Sequence, residues 1–422
     1  MKTIILAGIL FIILSINTNA QSGGEWHQTL NGRNVWSLTI HPPGGNTIYA
    51  GGLTGANSRI WKSTNEGLSW DTIYIGSGQT MWEIAFDANN SMYVANYSTG
   101  VLKSTNAGQT FTIIDASNFS NKNVQGIKCG PNNHVYATTS TGFFRSTNGG
   151  ANWTESATMV GLNCLPLLVD KDSANIIYVG VSSGAGTGIG VYRSTDFGVT
   201  FSANLNPNKN GYNLTQTPNG NLYMVTTTAP YNFDKSTNKG LTWTTVSNTP
   251  SAMRGLTSTA VTIPAFLFTG GNNGVFISQN DGVNWSNYGA FTISTTPLAA
   301  KNNRIFAGTS GSANGGVWWA HIPLVNIEQI SNSIPDKFLL KQNYPNPFNP
   351  STSIEFKIAK SSFTSLKVYD VNGKEVSELI NQNLSAGTYK IDFNAGNFSS
   401  GIYFYTLKTN NFQETKRMVL IK

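Results

Sequence analysis

Ser63-Thr-Asn-Glu-Gly-Leu-Ser-Trp70 is the first of six octapeptides with serine first, Asn or Asp third, glycine fifth and an aromatic residue eighth. The other five begin at Ser104, Ser146, Ser194, Ser236 and Ser278, so successive copies start 41, 42, 48, 42 and 42 residues apart. A period of about 40 residues is typical of propellers and related arrays, in which each repeat is one supersecondary unit. The octapeptides therefore predict a repeat protein, and we refer to them below as boxes.

Each box has the chemistry of a tight turn. The third side chain can accept hydrogen bonds from the backbone N–H groups that follow it, and the fifth-position glycine permits a positive φ. These turn residues are Asn65 and Gly67, Asn106 and Gly108, Asn148 and Gly150, Asp196 and Gly198, Asn238 and Gly240, and Asn280 and Gly282. We predict that they have a structural role only.

A second recurring segment precedes each box, and it occurs seven times in the chain. It is an apolar–aromatic strand segment, as in Ile48-Tyr-Ala50, and its last copy, Ile305-Phe-Ala307, has no box after it. The missing fourth strand of that repeat is supplied by Glu25–Leu30, which resembles the segment after a box. The pattern predicts an all-β, seven-bladed propeller over residues 21–326 that is closed by its N-terminal strand. Six or eight blades are alternatives.

The composition changes after His321. Four prolines lie between residues 334 and 352, and short alternating strand segments follow, with an Asn372-Gly373 hairpin turn among them. We predict a linker at residues 327–340 and a small immunoglobulin-like β-sandwich at residues 341–422. At the other end, Lys2, the apolar run Ile4–Ile16 and Thr18-Asn-Ala20 predict a signal peptide over residues 1–20.

Several function classes are disfavoured. The net charge of +7 includes no Lys/Arg cluster, which argues against nucleic-acid binding, and no apolar stretch after the first 20 residues predicts a transmembrane segment. The four histidines have no metal-ligand spacing, so we expect no metal and no cofactor. Cys129 and Cys164 are either one disulfide or two buried thiols. We expect a monomer.

The boxes are similar to the Asp-box (BNR) repeats of sialidases, sortilin-type propellers, two-domain xyloglucanases and photosystem II assembly-factor propellers. The resemblance covers residues 25–320 and implies the propeller fold. In those families the boxes lie at the blade periphery, away from the active site, so it implies nothing about activity.

The C-terminal region resembles a type A sorting domain of the type IX secretion system. The resemblance is carried by Tyr344-Pro-Asn-Pro-Phe-Asn-Pro350, Val368–Lys374, Leu384–Tyr389, Gly401-Ile-Tyr403 and Lys416–Lys422. It implies signal-peptide export to the periplasm, recognition by the outer-membrane translocon, and a final location at the cell surface or outside the cell.

Candidate site residues follow from the expectation that first strands line a central channel. Counting back from the predicted strand ends gives Trp36, Trp82, Gln125, Asn213, Arg254 and Ser294, with Glu83 beside them. A glycosidase needs two carboxylates, for which Glu83, Asp87, Asp170 and Asp172 are available, although Asp87 and Asp170 are better explained as turn caps. The arginines lack the flanking pattern of a sialidase triad.

The leading hypothesis is a secreted or cell-surface propeller without catalytic activity that binds a glycan or a protein at the channel mouth. Blade packing is the competing explanation for the two tryptophans. The alternative functions are a secreted glycoside hydrolase, sialidase-like or xyloglucanase-like, and an assembly or scaffold factor.

Overall fold

The computed structural model describes residues 25–422 except 42–44, 78, 115–118, 120–122, 185–187, 227–232, 260–265, 279–280, 290, 302–303, 312–313, 323–327, 332 and 396–397. The predicted signal peptide lies outside the described residues. Within them the chain forms 35 β-strands and no helix.

Seven sheets account for the described strands between residues 27 and 321. The first four, in chain order, are β2–β5 (Asn34–Ile40, Ile48–Thr54, Asn57–Ser63, Asp71–Ser77), β6–β9 (Met81–Phe86, Met92–Asn96, Gly100–Ser104, Thr112–Ile114), β10–β13 (Val124–Cys129, Val135–Thr139, Gly142–Ser146, Thr154–Glu155) and β14–β16 (Leu162–Val169, Ile177–Gly184, Gly190–Ser194). The other three are β17–β20 (Gly211–Gln216, Leu222–Thr226, Phe233–Ser236, Thr244–Val246), β21–β24 (Met253–Ser258, Leu267–Gly271, Gly274–Ser278, Ser286–Asn287) and β25–β27 (Thr295–Lys301, Arg304–Thr309, Gly316–His321) with β1 (His27–Thr29). We number these sheets as blades 1 to 7.

The blades form a closed ring. The first strand of each blade contacts the first strand of the next, and β25 of blade 7 contacts β2 of blade 1. Strand β1 pairs with β27, so the N-terminal segment completes the last blade as predicted. Trp26 strengthens this closure because its indole N–H donates to the Tyr288 carbonyl at 2.8 Å and its ring stacks on Phe291. Pairing with β1 thus covers the edge of β27 and ties the N-terminal segment into the last blade.

The boxes adopt the predicted turn, with one added contact. In the first box Asn65 Oδ1 accepts from the Ser69 N–H at 2.9 Å, and Ser63 Oγ accepts from the Gly67 N–H at 2.8 Å. The serine bond recurs in all six boxes, whereas Asn280 of the sixth lies outside the described residues. Box residues four and five both have positive φ, for example 55° at Lys239 and 77° at Gly240. The fifth-position φ of 77–88° lies beyond the left-handed region that other residues adopt, which favours glycine there.

The boxes also join neighbouring blades. A Cβ on Gly240 would lie 2.7 Å from a ring carbon of Tyr178 in blade 4, and Tyr223 of blade 5 donates a hydrogen bond to the Asp281 carboxylate in the sixth box at 2.5 Å. Lys235, one residue before its own box, pairs with the same carboxylate at 2.5 Å. Lys103, before the second box, likewise donates to the Gly149 carbonyl of blade 3 at 2.8 Å, so these two cations help to hold neighbouring blades together.

Blade 4 has three described strands. Where a fourth strand would run, Ser202 and Leu205 donate backbone hydrogen bonds to the Arg193 and Val191 carbonyls at 2.9 and 2.8 Å. Asn204 Oδ1 accepts from the Val191 N–H at 3.2 Å. An irregular segment therefore covers this blade edge.

The C-terminal residues form two four-stranded sheets. One has the order β28 (Glu328–Ser331), β33 (Gly387–Asn394), β30 (Ser351–Ile358) and β29 (Leu339–Leu340); the other has the order β32 (Glu375–Leu384), β31 (Ser362–Tyr369), β34 (Gly401–Thr409) and β35 (Gln413–Leu420). Side chains of both sheets, including Phe356 and Leu407, share one buried core. Strands β28 and β29 come from residues 327–340, so this segment belongs to the sandwich and is not only a linker. Backbone pairing with β33 and β30 incorporates it.

Candidate functional site: the central channel

We call the first strand of each blade its inner strand. Each of the seven inner strands carries a β-bulge, and the bulges lie at the same level around the ring. In β2 the register shifts between Val35 and Ser37, so one extra residue, Trp36, faces the ring. A bulge re-aims a side chain and is often placed next to a site. The bulge residues around the ring are Trp36, Trp82, Gln125, Leu165 with Pro166, Tyr212, Arg254, and Thr296 with Pro297.

These strands enclose a cavity of about 290 Å³ to which all seven inner strands contribute. Trp36, Trp82, Tyr212 and Pro297 give its wall an aromatic and apolar part, and Gln125 and Asn213 give it amide groups. Concave sites lined by aromatic groups and a few polar ones are typical of ligand sites. The channel is therefore the best-formed candidate site among the described residues.

The two tryptophans come from adjacent blades. Their ring centroids lie 6.1 Å apart at an interplanar angle of 53°, and both indole N–H groups are buried without a partner among the described residues. Tyr212 lines the same cavity; burial raises the pKa of its phenol, and the positive charge of Arg254 partly offsets this rise. The phenol is neutral at physiological pH and can donate a hydrogen bond.

Glu83 is the one carboxylate among the described residues that line the cavity. Its Oε2 accepts from the Ile127 backbone N–H at 2.8 Å, and its Oε1 pairs with Lys128. Both partners belong to blade 3, whereas Glu83 belongs to blade 2. The carboxylate thus bridges two blades, and the channel wall carries a paired charge rather than a free one.

The structure separates the predicted site residues into two groups. Trp36, Trp82, Glu83, Gln125 and Asn213 line the cavity. Arg254 occupies its bulge but is exposed and is not part of the cavity wall, and Ser294 lies before β25 and donates to Asn272 Oδ1 at 3.5 Å.

The bulge positions differ from the predicted column in two blades, and the column named no residue for blade 4, where Leu165 and Pro166 occupy the bulge. The bulge residue of blade 5 is Tyr212 rather than Asn213, and in blade 7 it is Thr296 with Pro297 rather than Ser294. Counting four residues back from the observed strand ends, Gln216 and Lys301, reaches Tyr212 and Pro297. The missing information was the exact end of each strand.

The other acidic candidates cap turns outside the channel. Asp87 Oδ1 accepts from the N–H groups of Asn89 and Ser91 at 2.9 and 2.8 Å. Asp170 is buried and accepts from the Asp172 and Ser173 N–H groups and from the Tyr178 hydroxyl. Asp172 is paired with its neighbour Lys171 at 2.7 Å. None of the three lines the cavity.

Both cysteines are free thiols, and burial raises the pKa of each. Cys164 precedes the bulge of β14, whereas Cys129 lies at the far end of neighbouring β10. About five residues separate these levels, or about 16 Å along a strand. A disulfide needs Cα atoms within about 7 Å. The alternative of two free thiols therefore fits the fold, with Cys164 buried and Cys129 half-buried.

Neither a metal-binding cluster nor a membrane-spanning helix occurs in the described part of the chain. No group of three or more His, Cys, Asp or Glu side chains is arranged to hold a metal ion. No helix there has the length and apolar character needed to cross a membrane.

Comparisons with known proteins identify both parts of the chain. The family model of the photosynthesis system II assembly factor YCF48 matches residues 38–300, and that of the secretion system C-terminal sorting domain matches residues 342–422. No curated protein sequence matches the chain.

Solved structures share the fold at low identity. YCF48 bound to D1 peptide is 15% identical at a TM-score of 0.52, with 72% of this chain and 98% of that chain covered. YCF48 from Cyanidioschyzon merolae is 12% identical at a TM-score of 0.53, and the match covers 71% of this chain and 98% of that chain. PorZ, a surface component of the type IX secretion system of Porphyromonas gingivalis, is 14% identical at a TM-score of 0.50. The match covers 92% of this chain and 59% of the PorZ chain, so this chain spans little more than half of PorZ.

The sorting domain indicates export through the type IX secretion system, to the cell surface or beyond it. With its propeller matched over most of its length, the chain belongs to the YCF48 family of BNR propellers and carries a type IX sorting domain at residues 342–422.

Proposed function

We propose that this exported propeller is a binding protein without catalytic activity that holds an extended polypeptide at the mouth of its central channel. The observation that carries the proposal is the ring of bulges. It directs Trp36, Trp82 and Tyr212 toward one cavity together with the amide of Gln125. Aromatic side chains provide large contact areas at a small entropic cost, and they dominate binding hot spots.

The residues that line the cavity also argue against glycoside hydrolase activity. Hydrolysis of a glycosidic bond uses two carboxylates about 5–10 Å apart. Among the described cavity residues Glu83 stands alone, and Lys128 and the Ile127 N–H already occupy its oxygens. A carboxylate committed to a blade bridge is a poor acid or nucleophile.

A polypeptide ligand is favoured by the chemistry of the wall and by family membership. Backbone carbonyls would accept from the Gln125 amide and the Tyr212 hydroxyl, while the two indole rings supply apolar contact area. A member of the same family has been solved with a bound peptide. A neutral glycan is the second candidate, since paired tryptophans beside amides also suit stacking on a sugar ring.

Parallel peptide and glycan arrays with the chain from Gln21 onward would test the proposal. Trp36→Ala and Trp82→Ala should each weaken binding of the best ligand at least about tenfold, as expected for hot-spot residues. Tyr344→Ala is the matched control, because this side chain is 82% exposed and lies in the sorting domain. Wild-type binding by both tryptophan variants, with unchanged thermal unfolding, would exclude the channel as the site. Hits confined to glycans would select the second candidate.

A further inference from the structure

The last strand of the sorting domain is an edge strand. Strand β35 pairs with β34 on one side, and no strand of the described residues pairs with its other side. Its odd-numbered residues direct backbone groups outward, as the bonds made by Arg417, Val419 and Ile421 show. Exposed edges of this kind template pairing with another chain unless they are covered.

A short non-strand segment covers this edge, and we call residues 342–348 the edge cap. Gln342 Nε2 donates to the Arg417 carbonyl at 2.7 Å, and Asn346 Oδ1 accepts from the Val419 N–H at 2.9 Å. Phe348 donates its N–H to the Val419 carbonyl and accepts from the Ile421 N–H, both at 2.9 Å. The side chains of Gln342 and Asn346 and the backbone of Phe348 thus make the hydrogen bonds that a neighbouring strand would make.

The edge cap is anchored, and it cannot itself extend the sheet. The Phe348 side chain is 2% exposed within the sandwich core. The Pro345 carbonyl accepts from the Thr352 hydroxyl at 2.7 Å and from the Asn343 amide at 3.1 Å. Pro345 and Pro347 have no N–H group, so the outer side of the cap offers few donors to a further strand.

A second copy of β35 is complementary to the edge under the cap. In an antiparallel pair centred on Thr415, Gln413 lies opposite Arg417 of the other copy, and Glu414 lies opposite its Lys416. Opposite charges at facing positions stabilise strand pairs. This register uses the Arg417 carbonyl of both copies, which is the group that Gln342 and Asn346 occupy.

We propose that the edge cap keeps the sorting domain from pairing edge to edge with a second copy of this chain. The asparagine of the Tyr-Pro-Asn-Pro-Phe segment acts as a substitute strand partner for β35. The edge cap, which is part of the resemblance to sorting domains, would thus have a structural role in keeping the domain monomeric.

The test compares the oligomeric state of the chain from Gln21 onward over a concentration series by light scattering, with amide exchange at Val419 as a local readout. Gln342→Ala with Asn346→Ala should raise the dimer fraction relative to wild type and speed Val419 exchange at least about tenfold, since a hydrogen bond is lost. Asn346→Asp keeps the acceptor and should stay within about threefold of wild type in exchange. Asn372→Ala, in an exposed turn of the same domain, is the control.

A second-site variant keeps the test decisive. Thr415→Pro removes an outward N–H at the centre of the expected pair. It removes no backbone bond to β34, although the bond between the Thr415 and Thr406 hydroxyls is lost, and it should return the double variant to the wild-type oligomeric state. The proposal would be overturned by an unchanged oligomeric state and unchanged Val419 exchange in the double variant. It would also fail if the dimer persisted with Thr415→Pro or formed equally in Asn372→Ala.

Discussion

Replacing Glu83 distinguishes a structural carboxylate from a catalytic one. Glu83→Gln keeps an oxygen that can accept from the Ile127 N–H but loses the charge that faces Lys128. Glu83→Ala loses both interactions. If the carboxylate serves to join blades 2 and 3, stability should fall in the order wild type, Glu83→Gln, Glu83→Ala.

The magnitudes follow from the two contacts. The side chains of Lys128 and Glu83 are 33% and 24% exposed, so solvent screens the ion pair and Glu83→Gln should cost about 0.5–1 kcal/mol. Ile127 is buried, and an unsatisfied N–H there adds about 1–3 kcal/mol in Glu83→Ala. At about 2–4 °C per kcal/mol, the alanine variant should lose several degrees of Tm.

Thermal unfolding of the two variants and of Lys128→Met, combined in a double-mutant cycle, measures the coupling between Glu83 and Lys128. We expect about 0.5–1 kcal/mol of coupling energy and retained ligand binding in Glu83→Gln. An unchanged Tm in both variants, together with loss of a measurable hydrolytic activity in Glu83→Gln, would refute the structural assignment and restore the hydrolase alternative.

Two further predictions address the boxes and export. Gly240→Ala should destabilise the propeller by about 1–3 kcal/mol more than Gly161→Ala in chemical denaturation, because both have φ near 77° but only Gly240 would place its Cβ against Tyr178; equal losses would show that the blade contact is unimportant. Removal of residues 328–422 should leave the propeller in the periplasm of a host that has the type IX system, as measured by cell fractionation, whereas normal surface display would contradict the sorting assignment.

The repeat fold could be predicted because its signals are local. The turn bonds of a box connect residues at most four positions apart, for example Ser63 to Gly67, so eight residues suffice to specify the turn. The N-terminal closing strand was predictable from an incomplete repeat at each end. The sorting domain was recognisable because its motifs follow one another in order.

The channel wall needed the tertiary structure. A bulge inserts one residue into an inner strand and changes which side chain faces inward, so a small error in a strand end selects Asn213 in place of Tyr212. The bridge from Glu83 to Ile127 and Lys128 joins residues 44 and 45 positions apart, and no local pattern marks it. Glu83 was predicted as a candidate acid because an acidic side chain near a channel suggests chemistry, whereas its partners come from the next blade. Turns therefore follow from neighbours along the chain, and the contents of the channel follow from how seven strands pack around it.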